Sequence, residues 1–515
     1  IILAAVLAVG GGFLWQFTRA TRGQTPVLGK AAVAPPTTAT AAARPVAAAA
    51  PYSTTVSAKS VAVLPFNNDS GDPQQQYFSD GLSQDLIIAL NQFRSLKVIS
   101  RDSSFQFRHS KLDPRVIARQ LGVAHLLEGA VQKQGDQVRV SVSLVNAADG
   151  SSLWSQRYDK AYRDLFKLQD DITHAVAEAL KAKLLGAVVQ SDRPPSGSLA
   201  AYEAYLKGNA QPYTEAGDQR AIALYAEAVR IDPGYARSFA ASALRWGDLG
   251  LVYADTRGKQ RQGIKRARAA ADTALRLAPN LLAGHYARGL ILLGVELDWQ
   301  GARDEANTMA ALAPDALDSI DLRARVLRVM GQPRQAEMLD RKAITLDPLN
   351  AKRYRNLAYD LDGQWQYDAS VAVWRKAIEL EPGRAPLHAR LALAELSRGD
   401  RTDAVAAAKL VPPGFWHDFA RAALLLTGSD RPSADAVLKS MADKYADTAS
   451  YQIAELYALR KDPDGMFQWL DRAWNNRDAG IQYLLIDPPL QRYKNDPRYA
   501  AFCHKVGLPV PGGKP

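Results

Sequence analysis

The 515-residue chain has a single cysteine, Cys503, so no disulfide can form within it. This excludes a disulfide-stapled scaffold but leaves the cellular compartment open, because a large core needs no such staples. The seven histidines are scattered: none pairs with another at metal-ligand spacing, and no His-Glu-x-x-His motif occurs. The sequence therefore predicts no metal site.

Motifs for catalysis are also missing. There is no Gly-x-Ser-x-Gly elbow, and no strand precedes and no Gly-Lys-Ser/Thr follows the glycine triplet at 10–12. Cys503 and His504 are adjacent, and neighbouring side chains rarely face one another as nucleophile and base. The polar loop Ser100-Arg-Asp-Ser-Ser104 follows a strand, where turn formation and helix capping are the simpler interpretation. We predict a non-enzyme with no catalytic residue and no cofactor.

Charge gives little support to nucleic-acid binding. The formal net charge is +11, with four basic and no acidic residues in 1–58, 17 basic and 15 acidic in 59–193, and 43 and 38 in the remainder. The excess is thus diffuse, and the densest basic run, from Lys259 to Arg268, is explained by a solvated helix face. No nucleic-acid partner is predicted for this portion.

A repeat dominates the second half. Five prolines recur at spacings of 46, 35, 34 and 34 residues, and most end an Ala-containing helical phrase: Pro233, Pro279, Pro314, Pro348 and Pro382. Proline cannot continue a helix, so each lies just beyond a helix end. Within 351–382, Ala358 and Ala377 are placed where two helices must approach closely. The longer first spacing predicts an insertion near Tyr253–Arg261.

This 34-residue helix pair resembles the tetratricopeptide repeat (TPR) family. The resemblance implies an all-α superhelix of stacked pairs, because one pair cannot bury its apolar face alone. We expect TPR repeats over 194–415. Degenerate TPR-like helices and a C-terminal tail are expected over 416–515, because Pro412-Pro413-Gly414 breaks the pattern.

The resemblance also implies a concave groove, lined by the first helix of each pair, that engages a protein or peptide partner. Seven residues are predicted to line it: Asp321, Arg325, Lys352, Arg355, Asn356, Tyr359 and Arg390. Asn356 and Arg390 resemble part of the TPR carboxylate clamp. Asp321 stands where that clamp has lysine, and Pro386 replaces another lysine, so a carboxylate ligand is not expected. An ordinary charged helix face is the alternative interpretation.

The N-terminal part has a different composition. Residues 1–17 carry no charge and predict a transmembrane helix over 1–18, with a signal-peptide core as the alternative. An Ala/Pro/Thr-rich linker is predicted over 19–58. Arg19 and Arg22 taken alone favour a cytoplasmic location for the residues C-terminal to them.

Residues 59–193 predict a compact α+β domain of order β-α-β-α-β-β-β-α. Val138, Val140, Val142 and Leu144 alternate with polar residues, as expected for a half-buried antiparallel strand. Gly135 follows a strand and supplies a hairpin turn.

Several phrases in this region resemble the TolB-like amino-terminal domain: Ser60-Val-Ala-Val-Leu-Pro-Phe66, Tyr77-Phe-Ser-Asp-Gly81, Ile117-Ala-Arg-Gln-Leu-Gly122 and Leu127-Glu-Gly-Ala-Val131. In bacteria this module often sits between a membrane helix and TPR repeats. The resemblance therefore implies a single-pass inner-membrane protein with its bulk in the periplasm.

The sequence is compatible with three functional interpretations. The first is a membrane-anchored, non-enzymatic binding, scaffold or sensory protein. The second is the sensory portion of a winged-helix transmembrane transcriptional regulator. The third is the non-catalytic portion of an adenylate or guanylate cyclase. The last two derive from domains that relatives commonly carry upstream of the membrane helix.

Overall fold

The computed structural model describes residues 56–512 except 94, 183–190, 252 and 254–256. The chain in these ranges is mostly helical, with one small sheet near its N-terminal end.

The predicted membrane helix requires correction. No helix in the described ranges is both long and apolar enough to cross a bilayer. The longest, Arg257–Leu277, has 21 residues but is rich in arginine and lysine. The proposed span at 1–18 and most of the 19–58 linker lie outside the described residues. The structure thus supports a mostly helical chain with a small sheet. It does not support the N-terminal membrane helix in the predicted fold class. The predicted localisation, as an inner-membrane protein with its bulk in the periplasm, is likewise not supported.

The sheet region begins the described chain. Its strands are β1 (Ser60–Val63), β2 (Asn67–Asn68), β3 (Lys97–Val98), β4 (His125–Gln134), β5 (Gln137–Asn146) and β6 (Ser152–Ala161). Its helices are α1 (Gln76–Leu90), α2 (Arg101–Ser104), α3 (Pro114–Leu121) and α4 (Leu165–Ala179). The expected order has five strands, whereas β2 adds a sixth within the predicted turn at 67–73. The short α2 occupies the predicted polar loop.

The sheet is mixed, with order β3-β1-β4-β5-β6 and β2 paired to β4. Strand β1 runs parallel to β3 and β4, while β4, β5 and β6 form antiparallel hairpins. The alternating side chains of β5 place Val138, Val140, Val142 and Leu144 in the core, against α1 and α4. This core continues into the first helices that follow, through Tyr202 and Tyr225.

The remaining described chain consists mainly of consecutive antiparallel helix pairs. The helices are α5 (Leu199–Asn209), α6 (Glu215–Ile231), α7 (Ala236–Leu251), α8 (Arg257–Leu277), α9 (Leu282–Ile291), α10 (Trp299–Leu312), α11 (Leu317–Val329), α12 (Pro333–Leu346), α13 (Ala351–Asp362), α14 (Tyr367–Leu380), α15 (Ala385–Arg398), α16 (Arg401–Lys409), α17 (Phe415–Leu426), α18 (Arg431–Tyr445), α19 (Ser450–Arg460), α20 (Pro463–Asn475), α21 (Pro488–Gln491) and α22 (Pro497–Val506).

Small residues allow the pairs to pack closely. Ala358 on α13 and Ala377 on α14 are fully buried, as the repeat pattern predicts. The long first spacing arises from the helices themselves: α7 and α8 have 16 and 21 residues, against 12 and 14 for α13 and α14. Part of the expected insertion at 253–261 therefore belongs to α8, whereas residues 254–256 lie outside the description.

The C-terminal helices return to the middle of the repeat. Side chains of α9, α10 and α11 share one apolar core with those of α19, α20, α22 and the segment between α20 and α21. Trp299 on α10 donates a hydrogen bond to the carbonyl of Val506, 2.8 Å away. The inner surface of the repeat is consequently covered by the chain itself.

Candidate functional site in the repeat groove

The seven predicted groove residues lie on the first helices of three successive pairs. Asp321 and Arg325 are on α11, Arg390 is on α15, and the other four are on α13. The structure brings them to one inner surface but buries them there: Asp321 is fully buried, and Arg390 is 8% exposed. Lys352 and Tyr359 are half-buried. They therefore lie inside the molecule rather than on an open surface.

Residues 479–491, which we call the strap, cover this surface. The ring of Tyr483 lies 4.8 Å from that of Tyr359. At Gly363 an added Cβ would come 2.8 Å from the Cβ of Ile486, so only glycine permits this approach. Trp365 donates from Nε1 to Oε1 of Gln491 at 2.9 Å. The strap thus occupies the place that the sequence assigned to a partner peptide.

Arg390 has an internal carboxylate partner. Its Nη1 and Nη2 lie 2.5 and 3.0 Å from the two oxygens of Glu455 on α19. Burial acts to lower the pKa of Arg390, but the charge of Glu455 outweighs it, so the pKa is raised well above its usual value. The guanidinium also faces the rings of Trp416 and Phe419, each at 5.5 Å. Glu455 therefore supplies the anion that a bound ligand would otherwise provide.

Asp321 is the centre of a second buried network. It accepts hydrogen bonds from Arg325 Nε at 2.7 Å, Arg353 Nη1 at 2.5 Å and Tyr286 Oη at 2.9 Å. Burial would raise the pKa of Asp321, but the charges of Arg325, Lys352 and Arg353 hold it well below the usual range. Asp321 is thus committed to internal cations, which explains its place where the clamp pattern has lysine.

Lys352 is the weakly paired cation of this network. Its Nζ lies 3.5 Å from Asp321 Oδ2 and 3.5 Å from Tyr286 Oη. Burial lowers the pKa of Lys352 to about 7, opposed by the charge of Asp321. The amine of Lys352 therefore titrates near neutral pH.

Two other groove residues retain unused donors. Arg355 and Asn356 are 7% and 1% exposed. Arg355 Nη2 donates to Asn356 Oδ1 at 3.1 Å, but Arg355 Nε and Asn356 Nδ2 have no hydrogen-bond partner. Burial, then the charge of Arg384, lowers the pKa of Arg355 to about 10. These donors are free to meet an acceptor.

The network extends to the sheet region. Arg353 Nε donates to Asp347 Oδ2 at 3.0 Å, and Asp347 also accepts from Ser100 and, at 2.7 Å, from Ser103. The backbone N–H of Leu349 donates to Ser103 Oγ at 3.0 Å. Ser100 caps α2 as predicted, but its second role as a contact to the repeat was not foreseen.

A signal for this contact does exist in the sequence. Asp232, at the equivalent Asp-Pro phrase, accepts from the backbone N–H and the hydroxyl of Ser196 at 3.0 and 2.7 Å. The acidic residue before the repeat proline therefore receives serine donors at both places. An Asp-Pro phrase combined with a distant serine-rich loop could have suggested the pairing.

One acidic cluster, Glu395, Asp400 and Asp403, has oxygens close enough together to bind a metal ion within the described ranges. Arg375 and Arg398 already form ion pairs with it, Arg375 Nη2 lying 2.9 Å from Glu395 and 2.7 Å from Asp403. The cluster is therefore largely neutralised by arginine and receives no metal assignment.

Comparison with known proteins gives two partial matches. Residues 57–175 match the family described as HilA/YgeH-like transcriptional regulator, second domain. A Rhizobium meliloti (strain 1021) protein named "Putative adenylate cyclase 3" is 32% identical over 252 residues, which are 48% of this chain and 41% of that protein. The chain thus spans about two fifths of the length of this relative.

Solved structures give weaker likenesses. A thermophilic TPR protein of Thermus thermophilus, TTC0263, matches with 18% identity and a TM-score of 0.32, covering 38% of this chain and all of that one. TolB from Acinetobacter baumannii matches with 17% identity and a TM-score of 0.19, covering 24% and 28%. Neither score is high enough to carry an argument, and a TolB-like domain is not confirmed. The helix pairs described above make the second part of the chain a TPR-like helical repeat.

Proposed function

We propose that the chain is the non-enzymatic, protein-binding portion of a signalling protein, and that its repeat groove engages a peptide segment of a partner in place of the strap. The supporting observation is the pair of unused buried donors, Arg355 Nε and Asn356 Nδ2, beneath the strap. A partner segment with carbonyl or carboxylate acceptors gains hydrogen bonds there that the strap does not make. Hydrogen bonds to charged groups contribute about 1.5–3 kcal/mol each.

A synthetic strap peptide tests whether the groove can exchange its occupant. A fluorescent peptide of residues 479–491 is titrated into the full chain and into the Leu485→Ala variant, which loosens the strap beside Gly331. We expect the variant to bind the peptide at least tenfold more tightly, with unchanged helical circular dichroism. Leu410→Ala, at a side chain that is 65% exposed, is the control. Equal binding by a folded variant, or none by either protein, would refute groove exchange.

A second, more specific proposal concerns the kind of signalling protein to which this chain belongs. Residues 57–175 match the second domain of a family of transcriptional regulators, and the chain is 32% identical over 252 residues to a protein named as a putative adenylate cyclase. Both similarities favour a regulatory portion that is attached to an effector domain. We assign the sheet region to the TolB-like type, on the phrases at 60–66 and 77–81.

Incubation of the chain with ATP or GTP and Mg²⁺ should yield no cyclic nucleotide. Turnover that stays proportional to the chain through purification would contradict the non-enzyme proposal.

A further inference from the structure

A cavity lies at the junction between the sheet region and the repeat. Its volume is about 130 Å³, and α1, α4 and residues 191–193 line it. Its wall combines the apolar side chains of Ile88, Ala89 and Phe93 with the buried polar side chains of Asp85 and Gln169. It is remote in sequence from the groove residues and takes no part in the strap contacts.

Two buried oxygen atoms in this junction cavity lack a hydrogen-bond donor. Asp85 Oδ2 accepts from Tyr202 Oη and, at 2.6 Å, from Gln169 Nε2. Asp85 Oδ1 and Gln169 Oε1 have no partner, although the two residues are only 9% and 3% exposed. An unmade hydrogen bond at a buried polar atom is costly. Gln169 Oε1 is an acceptor, and Asp85 Oδ1 is an acceptor when the carboxyl is ionised, so a hydrogen-bond donor would satisfy both atoms.

The charges around the cavity specify the donor further. Asp192 is paired with Arg237 at 2.6 Å, and Arg193 at the mouth is paired with Asp170 at 2.6 Å. Both arginines are thus committed to other carboxylates, whereas Asp85 has no ion pair among the described residues. A positively charged donor fits this position best.

We propose that the junction cavity binds a small amine, whose ammonium group donates to Asp85 Oδ1 and Gln169 Oε1 while its short apolar body lies against Ile88, Ala89 and Phe93. This site is independent of the partner-binding groove proposed above. Because it joins the sheet region to the first repeat helices, occupancy would tie α1 and α4 to residues 191–193.

The pKa of Asp85 gives the proposal a pH dependence. Burial, then the charge of Asp192, raises the pKa of Asp85 to about 8, so the empty site is protonated at neutral pH. An ammonium ligand needs the ionised carboxylate and must displace that proton. We therefore expect apparent affinity to increase from pH 6.5 to pH 9. The other titratable or charged groups facing the site are Asp170, His174, Asp192, Arg193, Tyr202 and Arg237.

Calorimetric titration of the full chain with n-butylammonium tests this site. Choline has the same charge without N–H donors, and n-butanol lacks the charge. We expect n-butylammonium to bind at least tenfold more tightly than either. Asp85→Asn should weaken its binding at least tenfold, whereas Asp80→Asn, on the same helix but paired with Arg108, should not.

A second variant covers the case in which Asp85→Asn does not fold. Ala89→Leu fills the cavity without removing a polar group, and it should also abolish n-butylammonium binding. Three results would each overturn the proposal: no binding of n-butylammonium to the wild-type chain, equal binding of choline, or unchanged affinity in a folded Asp85→Asn or Ala89→Leu protein.

Discussion

The repeat meets the rest of the chain at two surfaces of opposite chemistry. On one side, Asp347 and the turn after it receive hydrogen bonds from Ser100 and Ser103 of the sheet region. On the other side, the strap buries Tyr483, Leu484 and Ile486 in the same apolar core as α9 and α11. The first surface is mainly polar, with Leu349 also packed against an apolar cluster of the sheet region, whereas the second is apolar and continuous with the interior.

This difference has energetic consequences. A hydrogen bond within a protein contributes about 0.5–1.5 kcal/mol net, whereas burial of one large apolar side chain contributes about 1.5–3 kcal/mol. The strap therefore stabilises the repeat, and its exchange by a partner requires a segment that replaces most of its apolar contacts. The serine contacts instead fix the position of the sheet region, which is already attached through Tyr202 and Tyr225.

The largest effect is expected from the apolar surface. Leu484→Ala removes a fully buried side chain and should lower the free energy of unfolding by about 2–5 kcal/mol. Urea denaturation followed by circular dichroism measures this change. The exposed-site variant Leu410→Ala should stay within about 0.5 kcal/mol of wild type. A loss below about 1 kcal/mol for Leu484→Ala would show that the strap is not part of the core.

A smaller effect is expected from the polar surface. Ser103→Ala removes the hydroxyl that donates to Asp347 and accepts from Leu349, leaving both without that partner. We expect a loss of about 1–3 kcal/mol. Hydrogen exchange should increase at Leu349 and in α2 while the strap stays protected. The control is Ser143→Ala, an exposed hydroxyl paired only with Ser152 in the described contacts. Increased exchange throughout the strap would instead indicate that the two surfaces are coupled.

Neither surface was predicted from the sequence, whereas the helix pairs and one strand were. The helix pairs follow from the period of prolines and small residues, and the alternation in 138–144 predicted strand β5. These patterns are local, so the order of residue types along a short stretch carries them. The sequence therefore predicted the helical repeat, although it did not predict β2 or α2.

The burial of the groove could not be predicted in the same way. The inward position of Arg390 follows from helical periodicity, but Glu455, its partner, lies 65 residues further along the chain. Nothing local to Tyr483 indicates that its ring will lie against Tyr359. Long-range contacts of this kind depend on the curvature of the repeat, which a single sequence does not specify.

Lys352 lies beside Asp321, which is connected to Asp347 of the polar surface through Arg353. Its pKa in the folded chain is about 7, below the value of about 10.4 in an unfolded chain. Between these values the unfolded state binds more protons, so stability rises with pH from about 7 to 10. We expect Lys352→Met to stabilise the protein by about 1–2 kcal/mol at pH 6.5 and by much less at pH 10.

Urea denaturation at several pH values from 6.5 to 10 measures this difference. Lys439→Met is the control, since Lys439 is an exposed lysine paired with Asp443 on the same helix. A constant stability difference across the pH range for Lys352→Met would show that Lys352 does not titrate in the folded protein.

The smallest effect is expected at the edge of the strap, where a hydrogen bond lies beside the apolar contacts. Trp365 is 45% exposed, and its indole N–H donates to Gln491 at the end of the strap. Trp365→Phe keeps an aromatic ring but removes this bond and part of the indole ring system, and the free energy of unfolding should fall by about 0.5–1 kcal/mol. Gln491→Leu should cost more, because its amide also donates to the carbonyl of Leu485 at 2.8 Å. A double-mutant cycle isolates the bond, and a coupling energy near zero would show that this hydrogen bond does not stabilise the attachment of the strap.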